Sequence, residues 1–170
     1  MIRYIVKMFK ALNANANPGE IAHAFSIALM LGFLPKNNLL WYLLFIFFLF
    51  VRINKGVFFI LTLMFSFLAT LLDPVFNTIG YKILTLPALE GFFSTLLEIP
   101  IVGFTRFNNT IVMGSFAASI VLYIPAYILG RLFVKLWRTT LAPKIRKNPV
   151  MKAFYKLPIV GKIKNVVSGE

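Results

Sequence analysis

Three polar side chains recur at regular spacing in a short apolar segment near the start of the chain. Glu20, His23 and Ser26 follow one another at intervals of three residues, so a helix would place them on one face. An acid at membrane depth is costly enough to suggest a function, and the imidazole beside it could relay protons. Two simpler roles stay open: Glu20 favours the positive N-terminus of a helix, and His23 forms a hydrogen bond in packing.

A second acidic position lies in the middle of the chain, where Asp73 directly precedes Pro74. One interpretation is a turn or helix cap that ends the preceding apolar run. The other is a pairing across a helical bundle with Arg52, Asn54 or Lys82. Both interpretations stay open at this stage.

Glu90 and Glu98 are eight residues apart, which is about two turns of a helix and therefore one face. They could offer carboxylates to a cavity or lie at the membrane boundary. The candidate residues for a lipid or solute pathway are all polar: Asn13, Asn15, Asn17, Glu20, His23, Ser26, Asn37, Asn38, Asn54, Asp73, Glu90, Glu98, Asn108 and Asn109.

The residue types exclude several kinds of chemistry. The chain has no Cys, which excludes disulfides, thiolate catalysis and iron–sulfur ligation by cysteine. One His without a close carboxylate cluster makes a transition-metal site unexpected. No nucleophile–base pair, phosphate loop or metalloprotease motif is present. We therefore expect no metal, no cofactor and no enzymatic activity.

Composition indicates that the protein resides in a membrane. Hydrophobic residues make up 59% of the chain, whereas soluble domains are about 45–50% apolar. The 18 Lys and Arg against 5 Asp and Glu give a net charge of +13. These cations lie between and beyond the apolar runs, as in cytoplasmic loops of membrane proteins, which favours contact with an anionic membrane surface over nucleic acid.

The apolar segments differ in length from the about 20 residues that a helix needs to cross about 30 Å of hydrocarbon. Segments 20–34 and 39–51 are short, 57–72 is nearly adequate, 86–104 is interrupted, and 111–137 is long. We predict an all-α integral membrane protein with short re-entrant or broken helices and about two to four transmembrane helices. The breaks are expected at proline and glycine: Pro18, Gly32, Pro35, Pro74, Pro100 and Gly103.

A weak internal repeat relates residues 18–52 to 87–131. In each unit an acid opens a short helix, a Pro/Gly break follows, and a basic residue with an Asn pair precedes the next helix. We expect these Asn pairs to cap the outgoing helices. Duplication and chance similarity in a low-diversity sequence both remain open.

Small residues predict where helices pack closely. Ala24, Ala28 and Gly32 form a stripe in the first short helix, and Gly114 with Ala118, or Ser115 with Ser119, do the same in the last.

The two ends of the chain are amphipathic and basic. In residues 1–12, helical spacing would place apolar side chains on one face and cationic side chains on the other, which predicts an interfacial helix. Residues 13–138 would form the polytopic domain, and 139–170 a basic interfacial tail. Because the tail is rich in Lys and Arg, we expect both termini in the cytoplasm and segment 86–104 not to cross.

Four short motifs resemble a widespread bacterial domain of unknown function. They are Pro18-Gly-Glu-Ile-Ala22, Gly32-Phe-Leu-Pro35, Arg52-Ile-Asn54 and Asp73-Pro74, which are similar to P-x-x-[IL]-A, G-x-x-P, an Arg/Leu-rich helix ending in Asn, and [DN]-P. The resemblance covers about residues 10–138. The chain departs from the pattern at Asp73, where Asn is frequent, and at 33–34, where a small residue often occurs.

The asparagine-rich approach to Pro18 and the chain length resemble, more narrowly, small inner-membrane proteins of diderm bacteria. In that subfamily the gene tends to lie beside one for a large AsmA-like protein. The resemblance implies a multi-pass inner-membrane subunit of an envelope phospholipid-transport complex, partnered by a periplasmic AsmA-like bridge protein. The alternative is a small secondary transporter or channel that works as a homo-oligomer, with the acids and His23 on its path.

Overall fold

The computed structural model describes residues 17–141, which form helices and turns with no strand among them. This confirms the predicted all-α class for that part of the chain. The helices are α1 (Pro18–Phe33), α2 (Leu39–Phe50), α3 (Lys55–Leu84), a 3-10 turn (Pro87–Leu89), α4 (Glu90–Leu97), α5 (Pro100–Gly103), α6 (Thr110–Leu136) and a π-helical turn (Trp137–Leu141). The predicted helix 1–12, Asn13, Asn15 and most of the tail 139–170 lie outside the described residues.

An asparagine side chain caps the start of each of the four longest helices. The capping oxygens accept from the following backbone N–H groups: Asn17 from Gly19 at 2.9 Å, Asn38 from Trp41 at 2.8 Å, Asn54 from Val57 at 3.1 Å, and Asn109 from Ile111 at 3.0 Å. The predicted capping by the Asn pairs is confirmed, with the second residue of each pair as the cap. Such a cap stabilises a helix by about 1 kcal/mol.

Three helices, α1, α3 and α6, form the core, and each packs against the other two. Helix α1 runs parallel to α3, because the Asn54 backbone N–H donates to the Glu20 carbonyl where both helices begin. It runs antiparallel to α6, since Gly130, near the end of α6, lies against Ala22, near the beginning of α1. Ala24 and Ala28 are fully buried, which confirms the predicted small-residue stripe.

Gly32 belongs to that stripe and is not the break that we predicted. A Cβ atom at Gly32 would lie 3.1 Å from the Thr62 carbonyl oxygen, so the glycine allows α1 to approach α3 closely. Helix α1 continues to Phe33, and the turn follows at 34–38. Packing, and not chain reversal, therefore accounts for Gly32.

The predicted helix end at Pro74 is also wrong, because α3 continues through it to Leu84. Beyond the proline, Phe76 and Gly80 are buried, and Gly80 lies against the start of α6. Proline lacks the N–H that would bond the carbonyl four residues earlier. Packing against a neighbouring helix lets an apolar helix continue through such a position.

The other predicted breaks lie at helix ends: Pro18 begins α1, Pro100 begins α5, Gly103 ends α5, and Pro35 lies in the turn after α1. The two units of the predicted repeat differ in structure. Eleven residues of α1 are buried, whereas α4, its counterpart, contains none.

Segment 86–104 begins and ends on one side of the bundle. Gly80, near the end of α3, contacts Thr110 and Gly114 at the beginning of α6. The connection between these helices is divided into pieces of three, eight and four residues. It therefore does not traverse the length of α3 and α6.

The outer surfaces of α2, α3 and α6 are apolar. Two helices, Lys55–Leu84 and Thr110–Thr140, are long and apolar enough to cross a membrane. Only 22% and 28% of their most apolar 18-residue windows are buried. Phe67 and Leu71 of α3 are 71% and 75% exposed.

Candidate functional site

A cavity of about 350 Å³ lies where the turn after α1 meets the middle of α3 and the beginning of α6. We call it the hairpin-tip cavity. Three charged residues line it: Lys36 from the turn, Asp73 from α3 and Arg106 from the segment before α6. Its other polar lining residues are Asn37, Ser66, Thr70 and Asn109.

The turn that carries Lys36 is fixed by hydrogen bonds on both sides. The buried Asn38 side chain donates to the Pro35 carbonyl while it caps α2. The Trp41 indole N–H donates to the Leu31 carbonyl at 2.9 Å, which ties α2 to the last turn of α1. The short hairpin α1–turn–α2 therefore presents Lys36 at a defined place.

Arg106 stands in an unusual backbone conformation. Its φ of 53° is the one positive value at a non-glycine position between residues 17 and 141. Its N–H donates to the Gly103 carbonyl at 3.1 Å, and its carbonyl accepts from the Asn109 N–H at 2.9 Å. For a residue with a Cβ this left-handed conformation costs about 1–2 kcal/mol. Strain of this kind persists where the surrounding structure fixes it, and it clusters at functional sites.

Asp73 is half-buried on the face of α3 that also carries Ser66 and Thr70. Of the partners considered for Asp73, Arg52 donates to Glu20 at the far end of the bundle, and Asn54 caps α3 there. Glu20–Arg52 is the one ion pair in the part of the chain that the structure describes. Asp73, Lys36 and Arg106 thus share a cavity without an ion pair between them.

Glu20 and His23 lie toward the opposite end from the cavity, Ser26 lies in the middle of α1, and the three side chains make different contacts. Glu20 accepts from Arg52 Nε at 3.1 Å. His23 Nδ1 lies 3.0 Å from the Tyr123 hydroxyl, and its ring packs 4.5 Å from that of Tyr127. Ser26 donates to the Tyr123 carbonyl. The packing role left open for His23 matches these contacts.

The remaining candidates are dispersed. Four of them cap helices: Asn17, Asn38, Asn54 and Asn109. The cavity is lined by Asn37 and by the capping residue Asn109. Glu90 and Glu98 are exposed at the two ends of α4, and Asn108 is exposed before α6. The described acids therefore do not line one continuous path.

Several contacts were missed from the sequence, and the clearest is Lys55. Its Nζ donates to three carbonyls at the end of α2: Phe48 at 3.0 Å, Leu49 at 2.7 Å and Val51 at 2.6 Å. A lysine just after an apolar helix is the sequence feature that could have predicted this contact, because its ammonium can donate to the last carbonyls of that helix. For Lys36 and Arg106, the feature noted in the sequence was a basic residue beside an Asn pair.

A protein of Treponema pallidum (strain Nichols), described as an uncharacterised protein, is 41% identical to this chain over 159 residues. The match covers 94% of this chain and 98% of that protein. The two belong to one family. No family model matches the chain, and no solved structure matches it significantly.

Charge in this family member is distributed unequally between the two ends of the described bundle. The end where α1 begins and α6 finishes, which we call the basic end, has five cations and one acid: Arg52, Lys55, Arg131, Lys135 and Arg138 with Glu20. The cavity end has three of each: Lys36, Lys82 and Arg106 with Asp73, Glu90 and Glu98. The hairpin-tip cavity thus lies at the electrically balanced end.

Proposed function

We propose that this protein is an inner-membrane subunit of an envelope phospholipid-transport complex and works with a large periplasmic AsmA-like protein. The observation that supports this most is the position of a charged cavity beside outward-facing apolar helices. Thr70 lines the hairpin-tip cavity, and Phe67, about one helical turn earlier on α3, is 71% exposed. A charged cavity next to exposed apolar surface matches a phospholipid, in which a charged head group is joined to apolar acyl chains.

The exposure of the two long helices supports residence in a membrane. Their most apolar windows are 22% and 28% buried, whereas a core helix of a soluble protein would be mostly buried. Exposed apolar surface of this extent is unfavourable in water and favourable against lipid. The protein is therefore proposed to be multi-pass, with α3 and α6 as its full crossings.

The charge distribution supports an orientation. Cations accumulate on the cytoplasmic side of membrane proteins, and the basic end has five of them against one acid. That end would face the cytoplasm and bring both termini there. The hairpin-tip cavity would then lie toward the periplasm, where a bridge protein could receive lipid.

The hairpin α1–turn–α2 supports a route for the lipid. At 16 residues, α1 is about 24 Å long, shorter than a full crossing. The turn at 34–38 is non-helical, and such backbone at membrane depth must be enclosed by protein or line a cavity. A re-entrant hairpin that ends in a charged cavity would let a head group enter the protein.

The AsmA-like partner is proposed from the resemblance, and the exposed apolar residues of α4 and α5 offer it a surface. Phe92 and Ile101 are 60% and 68% exposed at the cavity end. On a periplasmic face these side chains would rest on the membrane surface or against the partner.

Purification of the tagged full-length protein from its native membrane in mild detergent tests the proposal. Mass spectrometry should find bound phospholipid together with a large periplasmic protein. A homo-oligomer that lacks both would contradict the proposal and favour the small transporter or channel. The charge-neutral variant Lys36→Gln should retain less lipid, and Arg131→Gln, which removes a cation at the basic end, serves as the matched control.

A further inference from the structure

We propose that the hairpin-tip cavity selects a phospholipid head group that carries a primary ammonium beside its phosphate, as phosphatidylethanolamine does. Lys36 and Arg106 bind the phosphate, and Asp73 binds the ammonium. The inference rests on the proposed lipid-handling function and adds the class of lipid.

The charges of the cavity are complementary to a zwitterion. Two cations and one carboxylate line it, and no ion pair joins them within the described residues. An anionic head group such as phosphatidylglycerol would satisfy Lys36 and Arg106 but leave Asp73 facing a like charge. A half-buried carboxylate without a partner is unfavourable, so a ligand that brings its own cation is preferred.

The size of the cavity suits one small head group. A volume of about 350 Å³ lies at the lower end of the range for small-molecule sites, which is roughly 300–1,000 Å³. A phosphoethanolamine group with some water fits within it. The acyl chains would then follow the exposed apolar surface of α3.

The lining distinguishes a primary from a quaternary ammonium. Ser66, Thr70 and Asp73 share one face of α3, and both hydroxyls already donate to helix carbonyls, at Thr62 and Phe67. Their lone pairs remain available as acceptors for N–H groups. Trimethylammonium has no N–H and is bound instead by cages of aromatic faces, whereas one aromatic residue, Phe33, lines this cavity.

The backbone at Arg106 fits a phosphate-binding role. Its left-handed φ of 53° is maintained although glycine would adopt it with less strain. A guanidinium can bind two phosphate oxygens at once, which a shorter or uncharged side chain cannot do. A requirement for this side chain explains why arginine occupies a position that suits glycine.

The test uses the full-length protein in detergent micelles that contain equal amounts of phosphatidylethanolamine, phosphatidylcholine and phosphatidylglycerol with identical acyl chains. Native mass spectrometry then measures the ratio of bound species. For the unaltered protein we expect phosphatidylethanolamine to exceed each of the others by about fivefold, equivalent to about 1 kcal/mol. Asp73→Asn should abolish that preference while lipid still binds.

Three further variants complete the test. Lys36→Gln combined with Arg106→Gln should lower the binding of all three lipids, because each carries a phosphate. Asp73→Ser repeats the loss of preference with a smaller side chain, in case Asp73→Asn folds poorly. Glu20→Gln removes an acid at the basic end and should leave the preference unchanged.

The outcomes separate the inference from the function on which it rests. An unaltered protein that binds the three lipids equally, or an Asp73→Asn variant that keeps the preference, overturns the inference and leaves lipid handling in place. An unaltered protein that binds none of the three lipids overturns both.

Discussion

Gly80 of α3 and Gly114 of α6 bring the two long helices into backbone contact. A Cβ atom on either glycine would lie 2.8 Å from the backbone nitrogen of the other. Helices in lipid associate through such close approaches of small residues, since lipid and apolar side chains are alike in polarity. This crossing holds the start of α6, and with it Asn109 and Arg106, beside the cavity.

Replacement of Gly114 by alanine should therefore separate α3 from α6. The added methyl group meets backbone atoms, which cannot move aside as a side chain can, so we expect a loss of about 1–3 kcal/mol. Thermal unfolding in detergent, followed by circular dichroism, measures it. Gly91→Ala is the matched control, because no atom lies within 4 Å of a Cβ there. Equal melting temperatures for the two variants would contradict the close crossing.

The Lys55 ammonium should stabilise the end of α2. Lys55→Met removes all three hydrogen bonds to the carbonyls of residues 48, 49 and 51. Hydrogen bonds to charged groups contribute about 1.5–3 kcal/mol each, and the three share one donor group, so a total loss of about 2–3 kcal/mol is expected. Hydrogen exchange at the amides of α2 and thermal unfolding report it. Lys82→Met, at an exposed lysine of the same helix, should change the stability much less.

The Glu20–Arg52 ion pair should contribute little to stability. The Arg52 side chain is 94% exposed, and exposed pairs are typically worth about 0–1 kcal/mol. Glu20→Gln should therefore lower the unfolding free energy by less than about 1 kcal/mol, and added salt should diminish even that difference. A larger loss that persists at high salt would show that Glu20 has a role beyond this pair.

Arg106→Gly should lower ligand binding without lowering stability. Glycine adopts a positive φ without the steric cost, so the variant should be as stable as the unaltered protein or more stable by about 1 kcal/mol. Lipid binding should nevertheless fall, because a phosphate-binding cation is lost. Thermal unfolding and native mass spectrometry on the same preparation compare the two. A less stable variant with undiminished lipid binding would assign Arg106 to the fold alone.

Local signals allowed the starts of α2 and α6 to be predicted from the sequence. Asparagine accepts from backbone N–H groups two or three residues ahead, so its capping role at Asn38 and Asn109 depends on neighbours in the chain. The small-residue stripe was likewise visible at fixed helical spacing.

The continuation of α3 and the composition of the cavity depend on distant residues. Pro74 reads locally as a helix end, but packing of Phe76 and Gly80 against α6 outweighs that preference. Lys36, Asp73 and Arg106 come from three separate parts of the chain, and no spacing rule relates them. The sequence therefore identified Asp73 as a candidate, but Lys36 and Arg106 were not among the partners considered for it.

Photo-crosslinking in intact cells tests the central claim most directly. A photoreactive amino acid is placed at position 37, an exposed residue that lines the hairpin-tip cavity, and at position 131 of the basic end as a control. If the cavity receives phospholipid head groups, irradiation should yield a phospholipid adduct at 37 well above that at 131, and Lys36→Gln with Arg106→Gln should reduce it. Equal adducts at both positions, or none at 37, would contradict the account.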